Sequence, residues 1–409
     1  MKKIPSIIIV VWGIAVLCTL FLSSCKRPEV LDNSTLVNSA RNVALTFGPA
    51  YVPYFKEANV SDVQVFKKDD YGDSRPQIRK QIGRKFYTVT FTYEYTDEIF
   101  MAWHYAKYVE GLAQTARSIY NIPLYVNAAM NSRGRKPGEY PSAGPLAHLI
   151  DVWHCGAPSI DILAPDLYDN GFTDWVARYK LHNNPLFIPE IRLTDNNSVR
   201  AFYIFGEHDA IGISPFSIED GSDSPNSPLV QSYAKLTELM PLLTKYQGKG
   251  LMKGLLFDSE NKERIIADDD LTITARHFFT LPWDPRATNG SIWPEGGGIL
   301  LKLSKNEYIV AGSGIVLEFA KTSEKQTIEK QKQLGEDGFA LRNDQIKTKH
   351  DKFKGMRCGI GYVDEVKVDK DGKLHYVRRL NGDQDHQGRH VRISVGDFKI
   401  LHVQLYEYQ

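Results

Sequence analysis

The sequence has 409 residues, with 50 lysines and arginines against 49 aspartates and glutamates, so its formal net charge at pH 7 is only +1. Aromatic residues make up 11% and charged residues 24%, which is ordinary for a globular protein. A nearly neutral chain without a basic, aromatic-rich stripe has no general attraction for nucleic acid, so nucleic-acid binding is not expected. The length predicts two or three domains.

The first 25 residues have the pattern of a secretory signal. Lys2 and Lys3 precede an apolar run over 7–22, and the sequence LSSC stands at 22–25. This ending resembles a bacterial lipobox, in which Cys25 is lipidated and becomes the mature N-terminus. The alternative, a membrane anchor helix, normally needs about 20 apolar residues. We therefore expect residues 1–25 to be a lipoprotein signal peptide, and a lipid anchor to hold the protein at the outer membrane, on its periplasmic or cell-surface side.

Residues 26–96 are predicted to form a tether followed by an irregular β-like segment. The runs VALTF, DVQVF and FYTVTFTYEY have strand-type patterning. A charged, turn-rich stretch, DDYGDSRPQIRKQIGRK, separates the last two runs. No motif in this region indicates a function.

Residues 97–250 alternate between apolar strands and amphipathic helices. A helix is predicted from Asp97 to about Tyr120, with Thr96 as its N-cap. Predicted strands follow at 122–130, 159–168, 185–190 and 210–220, with helical patterns between them and a last helix at 229–247. Strands joined by helical crossovers lie parallel and are covered on both faces. The alternation therefore predicts a (β/α)-barrel.

The four predicted strands all end in polar or aromatic residues. These residues are Asn127, Asp166, Tyr168, Glu190, Ser214, Phe216 and Glu219. In a barrel the chemistry gathers at the C-terminal ends of the strands. Any one of these side chains could simply cap the following helix, but four successive ends favour an edge that faces a substrate.

Residues 251–409 contain short strand-like runs separated by turns, without helical crossovers. Such a pattern predicts one or more antiparallel β-sandwich domains. The predicted fold class is thus α/β plus all-β, a barrel segment followed by sandwich domains.

The longest motifs carry a family resemblance. The stretches DEIFMAWHYAKYVEGLA, PLYVNAAM, GRKPGEYPSAGPLAHLIDVWHCGAPSIDILAPDLY, NPLFIPEIR and GISPFSIED resemble the β-galactosidase-like proteins of glycoside hydrolase family 35. The segment RRLNGDQDHQGRHVRI and the final VQLYEY resemble the extra C-terminal β domain of a bacterial branch of that family. The resemblance extends from about residue 97 to residue 409.

This resemblance implies an activity and a role for one glutamate. The family hydrolyses terminal β-linked galactose by a retaining mechanism, so the expected partner is a glycan that contains β-galactosides, and neither a cofactor nor a metal is expected. The family's nucleophile stands at the end of the seventh barrel strand, where the FIPE sequence places Glu190. The other predicted strand-end residues would bind the substrate.

The resemblance also implies that a catalytic partner is missing. The family's acid/base belongs to an Asn-Glu pair on the fourth strand, whereas the strand at 122–128 matches the fifth. A βα unit needs about 30 residues, so four units do not fit into 26–96. Asn306-Glu307 lies in the β-rich region and is predicted to be a hairpin turn. Glu94, which we expect to end a strand just before the predicted helix, is the remaining candidate for the acid/base.

Two consequences follow for function and assembly. Strands five to eight of a barrel leave two open parallel edges, which makes an oligomer possible. Without an acid/base, the activity is expected to be weak or lost, so a non-catalytic carbohydrate-binding or interaction lipoprotein is the alternative. In that alternative, tryptophans would stack on sugar faces, and the candidates are Trp153, Trp175, Trp283 and Trp293.

Overall fold

The computed structural model of the protein describes residues 63–66, 77–82, 85–90, 93–131, 134–180, 184–221, 224–331 and 353–409. The chain divides into two compact units, residues 1–103 and residues 104–409. The predicted signal peptide, Cys25 and the run VALTF lie outside the described residues. Within the described part of the chain, no helix combines the length and the apolar character that crossing a membrane requires.

The first unit contains a small antiparallel sheet of three strands. These are β1 (Val63–Phe66), β2 (Gln77–Ile82) and β3 (Lys85–Thr90), in the order β1-β2-β3. The predicted strand in DVQVF is confirmed. The predicted strand in FYTVTFTYEY is confirmed for its first five residues, whereas residues 91 and 92 lie outside the described residues and a helix begins at Tyr93. The sequence QIRKQI, which lies in the charged, turn-rich stretch and was not singled out as a strand, is the central strand of this sheet because it pairs with a neighbour on both sides.

Helix α1 spans Tyr93–Ile119 and begins one turn before the predicted start. Thr96 therefore lies inside the helix and is not its N-cap, and Glu94 lies in the first turn and not at the end of a strand. The run FYTVTFTYEY, which overlaps the start of this helix, is rich in aromatic and β-branched residues, and this composition is typical of a strand. Their helix propensity, however, is only a few tenths of a kcal/mol below that of good helix formers, so local pattern does not fix their state.

The second unit contains a four-stranded parallel sheet in the order β4-β5-β6-β7. Its strands are β4 (Tyr125–Ala129), β5 (Ile162–Leu167), β6 (Phe187–Ile191) and β7 (Gly212–Pro215). The helices that alternate with these strands are α2 (Ile150–Gly156), α3 (Phe172–Tyr179), α4 (Asn197–His208) and α5 (Pro228–Tyr246). The predicted alternation of parallel strands and helices is confirmed.

The inner strands of this sheet are apolar because both of their faces are covered. Leu163 and Ala164 of β5 and Ile188 of β6 are almost completely buried. By contrast, the residues of β4 alternate between exposed and half-buried. Strands β4 and β7 are the outer strands of the sheet, and each pairs with only one neighbour among the described residues.

The rest of the second unit is built from two antiparallel sheets. The six-stranded sheet has the order β15-β14-β17-β12-β11-β8, and the four-stranded sheet has the order β16-β13-β10-β9. The strands are β8 (Met252–Phe257), β9 (Glu263–Asp268), β10 (Leu271–His277), β11 (Gly296–Ser304), β12 (Glu307–Ser313), β13 (Ile315–Lys321), β14 (Arg357–Val368), β15 (Leu374–Leu380), β16 (Val391–Ile393) and β17 (Lys399–Tyr408). A ten-residue helix, α6 (Thr322–Gln331), follows β13. Short 3-10 helices lie at Ile218–Gly221, Phe278–Thr280, Pro285–Ala287 and Gly382–Gln384.

The two antiparallel sheets share one buried core, as expected for a sandwich. Side chains from both sheets, including Ile273 and Leu317 of the smaller sheet and Val310 and Leu401 of the larger one, pack in a single cluster. Hydrophobic burial of this kind is the main stabilising contribution to a β-sandwich. The prediction of antiparallel β structure after residue 250 is confirmed.

Helix α4 joins the parallel sheet to the six-stranded sheet by lying directly on β8 and β11. A side chain at Gly254 of β8 would collide with the carbonyl oxygen of Tyr203, so the helix and the strand approach too closely for any larger residue. The salt bridge from Arg264 to Glu207 (2.7 Å) also ties α4 to the sandwich. This contact fixes β6 and the loop before α4 relative to the sandwich.

Candidate functional site

The predicted site residues on β4, β5 and β6 lie together at the C-terminal edge of the parallel sheet. Asp166 is the paired neighbour of Ala129 on β4 and of Glu190 on β6. Asn127 lies two residues before Ala129 on the same strand. Because all three strands run in the same direction, their ends bring these side chains to a single edge.

Two short hydrogen bonds organise these side chains. The Asn127 amide donates from Nδ2 to Oδ1 of Asp166 over 2.6 Å. The Tyr168 hydroxyl donates to Oε1 of Glu190, also over 2.6 Å. Each carboxyl group therefore has a neutral donor from a neighbouring strand, and such bonds hold the carboxyl groups in fixed orientations.

The two carboxyl groups have different environments. Burial raises the pKa of Asp166, and the negative charge of Glu190 raises it further, while the hydrogen bond from Asn127 acts in the opposite direction. Because burial disfavours the charged form, the Asp166 carboxyl keeps its proton to a higher pH than a free aspartate does. The raised pKa suits Asp166 to donate a proton.

Arg192 is a further residue of this edge that sequence analysis did not identify. Its guanidinium carbon lies 6.0 Å from the centre of the Tyr168 ring, and its Nη2 donates to the Tyr168 carbonyl oxygen over 3.4 Å. Burial and the hydrogen bond to Glu190 raise the pKa of the Tyr168 phenol, whereas the charge of Arg192 lowers it. Residues two positions apart in a strand lie on the same face of the sheet. Because Arg192 follows Glu190 by two residues, this spacing was the sequence signal that could have identified Arg192 as a site residue.

The remaining predicted residues of this edge lie on or just after β7. Ser214 is a half-buried residue within the strand, Phe216 is exposed, and Glu219 lies exposed in a 3-10 turn. Phe216 continues the strand direction, since its backbone N–H donates to the Ile191 carbonyl over 2.8 Å. Ser217 has a positive φ of 53°, which turns the chain sharply before Glu219.

The two other glutamates that were considered for the acid/base are Glu307 and Glu94. Asn306 lies in the turn between β11 and β12, and Glu307 begins β12, so the predicted hairpin is confirmed. Glu307 accepts a hydrogen bond at 2.7 Å from, or pairs with, the His402 ring on β17. Glu94 belongs to the first unit of the chain, in the first turn of α1.

The four tryptophans considered for sugar stacking are mostly core residues. Trp153, Trp175 and Trp293 are at least 94% buried, as residues that pack a core are. Trp283 is 47% exposed, and its ring stacks on His386 with the ring centres 4.8 Å apart. Of the four, Trp283 therefore has the surface that a sugar face needs.

Sequence comparisons add one domain match. Residues 229–392 match the profile of a domain of unknown function, DUF5597. No curated protein matches the chain. The matched segment begins at α5 and covers most of the sandwich, so it lies after the last predicted site residue, Glu219. Within the described residues, no group of three or more histidine, cysteine, aspartate or glutamate side chains is arranged to hold a metal ion.

Proposed function

We propose that the protein is a glycoside hydrolase-like protein related to the β-galactosidases, with Glu190 as the nucleophile of a retaining mechanism. The observation that carries this proposal is the pairing of Glu190 with a hydrogen-bonded tyrosine, beside Asp166, at the C-terminal edge of a parallel sheet. A carboxylate with a fixed orientation at such an edge is placed to attack a bound sugar. The Asn127–Asp166 pair and Arg192 supply polar groups for sugar hydroxyls.

We propose further that the parallel sheet is the second half of a (β/α)8 barrel. The rings of Tyr125 on β4 and Phe187 on β6 are in contact, with centres 5.1 Å apart, across the intervening strand. Such a contact between alternate strands fits a concave inner face that is filled in layers, as in a barrel. Separately, we propose that Cys25 is lipidated and that the protein is an outer-membrane lipoprotein, because the sequence LSSC resembles a lipobox.

The hydrolytic activity is proposed to be weak, because Asp166 does not stand opposite Glu190. The two residues are paired on adjacent strands, whose separation is about 4.8 Å, so both carboxyl groups approach a substrate from the same side. A retaining hydrolase needs its proton donor and its nucleophile on either side of the glycosidic bond. Loss of general acid catalysis typically costs a factor of about 10²–10⁴ in rate.

Hydrolysis of a nitrophenyl β-galactoside tests this proposal. We expect slow turnover by the wild-type chain and none above background for Glu190→Gln, because the amide cannot form the glycosyl-enzyme. The matched control is Asp174→Asn, an exposed carboxylate on α3 that pairs with Arg178 at 3.1 Å and should leave the rate unchanged. Equal rates for the wild type and Glu190→Gln would refute the assignment of the nucleophile.

A non-catalytic carbohydrate-binding protein is the second candidate, and Trp283 is the observation that favours it. An exposed indole held against His386 offers a rigid flat surface. Calorimetric titration with galactose separates the two candidates. Binding that survives Glu190→Gln but is lost in Trp283→Ala, without turnover by the wild type, would support the binding protein.

A further inference from the structure

The C-terminal edge of the parallel sheet carries side chains at two levels. The lower level consists of Asp166 on β5 and Glu190 on β6, which are paired neighbours in the sheet. The upper level includes Tyr168 and Arg192, which lie two residues further along the chain. Residues two positions apart in an extended chain lie on the same face, roughly 6–7 Å apart. Because the lower level is partly buried and the upper level is exposed, the upper level lies on the solvent side of the two carboxyl groups.

The upper level combines one cation with two aromatic residues. Tyr168, Arg192 and Phe216 each directly follow one of the neighbouring strands β5, β6 and β7. The Arg192 N–H donates to the Leu167 carbonyl over 3.3 Å. The Phe216 N–H donates to the Ile191 carbonyl over 2.8 Å, so the backbone pairing continues to this level on both sides of β6. Since Tyr168 and Phe216 are 39% and 49% exposed, Arg192 has an exposed aromatic residue on each neighbouring strand.

The guanidinium group of Arg192 is loosely held. Its Nη2 donates to the Tyr168 carbonyl over 3.4 Å, and its central carbon lies 6.0 Å from the centre of the Tyr168 ring. The nearby carboxyl groups have other donors, since Asp166 accepts a hydrogen bond from Asn127 and Glu190 accepts one from the Tyr168 hydroxyl. Among the described residues, no carboxylate forms an ion pair with Arg192. A guanidinium has five N–H donors in a planar fork, so most of them remain available to a ligand.

We propose that the site selects a sugar with an anionic substituent, a carboxylate or a sulfate group, and that Arg192 binds this substituent. The inference rests on the proposed sugar site at Glu190. The two levels are about one sugar ring apart, so a sugar with its anomeric carbon at the lower level can extend a ring substituent to the upper level. The planar fork of the guanidinium matches two oxygen atoms of an anionic group, which a single hydroxyl does not offer. Tyr168 and Phe216 supply apolar surface for the sugar ring on either side.

The charges around Arg192 determine how strong the preference is. The carboxylate of Glu190 lies two residues away and opposes an anionic ligand. Burial raises the pKa of Asp166 and so lowers the negative charge of this residue at a given pH. Arg192 itself is exposed, so water and salt screen its attraction for the substituent. We therefore expect a moderate preference, of about fivefold in affinity, that weakens as salt is added.

Calorimetric titration of the wild-type chain with three methyl β-glycosides tests the proposal. The ligands are the galactoside, its 6-sulfate and the galacturonide. We expect the sulfate, the galacturonide or both to bind about fivefold more tightly than the galactoside at low salt, and by a smaller factor at high salt. Tighter binding of both indicates a general anion site, whereas tighter binding of one alone identifies the group that the site takes.

Three variants assign the preference to Arg192. Arg192→Gln should bind all three glycosides with affinities within about twofold of one another, and Arg192→Lys, which keeps the charge but lacks the fork, should retain part of the preference. The matched control is Arg178→Gln, an exposed arginine on α3 that pairs with Asp174 at 3.1 Å, and it should behave as the wild type does. Equal affinities in the wild type, or a preference that survives Arg192→Gln, would overturn the proposal and leave the sugar site standing. A wild type that binds none of the three glycosides would refute the proposed sugar site as well.

Discussion

At the scale of single residues, the chemistry of the site depends on the neighbouring carboxyl groups of Asp166 and Glu190. Their paired positions on β5 and β6 make the pKa of Asp166 depend on the charge of Glu190, which raises it. Asn127 and Tyr168 each donate one hydrogen bond and so fix which oxygen atoms remain available. Because the ionised form of Asp166 is disfavoured by burial, this residue lowers the stability of the folded protein at neutral pH. Functional sites commonly carry such a loss of stability.

Asp166→Asn should therefore stabilise the folded protein, and the gain should depend on pH. The folded-state pKa of Asp166 lies above its unfolded value of about 3.9. The folded state thus binds this proton more tightly, so the wild type is not penalised at low pH and loses stability as the pH rises through the folded pKa. We expect the melting temperature of the variant to exceed that of the wild type at pH 7 and the difference to shrink towards pH 3. The control Asp174→Asn, at an exposed position of α3, should leave the melting temperature at pH 7 nearly unchanged.

At the scale of secondary-structure elements, one buried side chain replaces part of a missing strand pairing. β5 and β6 pair only at their C-terminal ends, through Asp166 with Glu190 and Leu167 with Ile191. Below these pairs, the fully buried Asn184 accepts a hydrogen bond from the Leu163 N–H over 2.9 Å and donates to the Leu163 carbonyl over 2.7 Å. Its amide takes the place of the backbone of β6 and so supports the strand that carries Asp166.

Asn184→Ala should cost about 2–4 kcal/mol in the free energy of unfolding, because it leaves the backbone N–H and carbonyl of Leu163 buried without these partners. Urea denaturation measures this loss as a lower midpoint with an unchanged slope. The matched control is Asn226→Ala, an exposed asparagine, which should change the free energy by less than about 0.5 kcal/mol. Equal effects of the two substitutions would contradict the role assigned to Asn184.

The elements that sequence analysis predicted best are those whose pattern reflects burial on both faces. The apolar runs around Ala164 and Ile188, which alternate with helical patterns, predicted buried parallel strands, because strands covered on both faces are apolar at successive positions. Glu190 and Asp166 were found for the same reason, as polar residues at the ends of apolar runs. The strand Gln77–Ile82 and the start of α1 at Tyr93 were missed, since pairing and tertiary contacts decide the state of residues with mixed propensity.

The contacts within the site were less predictable than its position. The bond from Tyr168 to Glu190 joins residues 22 positions apart, and the bond from Asn127 to Asp166 joins residues 39 positions apart. Sequence periodicity shows which residues reach an edge but not which side chains meet there. Arg192 was missed because an exposed arginine near a strand end is usually only a solvated surface residue.

At the scale of the whole molecule, the parallel sheet and the sandwich are joined through α4, whereas β4 and β7 remain as outer strands. The close approach of α4 to Gly254 makes the sandwich a rigid support for the loop after β6. The sandwich thus supports the site from the side of α4. Large apolar side chains are exposed on α1 and β4, among them Tyr108 and Tyr125.

The most direct test of the proposed function is covalent capture of the nucleophile with 2,4-dinitrophenyl 2-deoxy-2-fluoro-β-galactoside. Dinitrophenolate leaves without protonation, so the reagent requires the nucleophile but no proton donor. We predict that mass spectrometry will find the fluorogalactosyl group on Glu190, within the tryptic peptide 181–192, and that Glu190→Gln will remain unlabelled. A folded wild-type protein that stays unlabelled, or that carries the label on another residue, would contradict the assignment of Glu190 as the nucleophile.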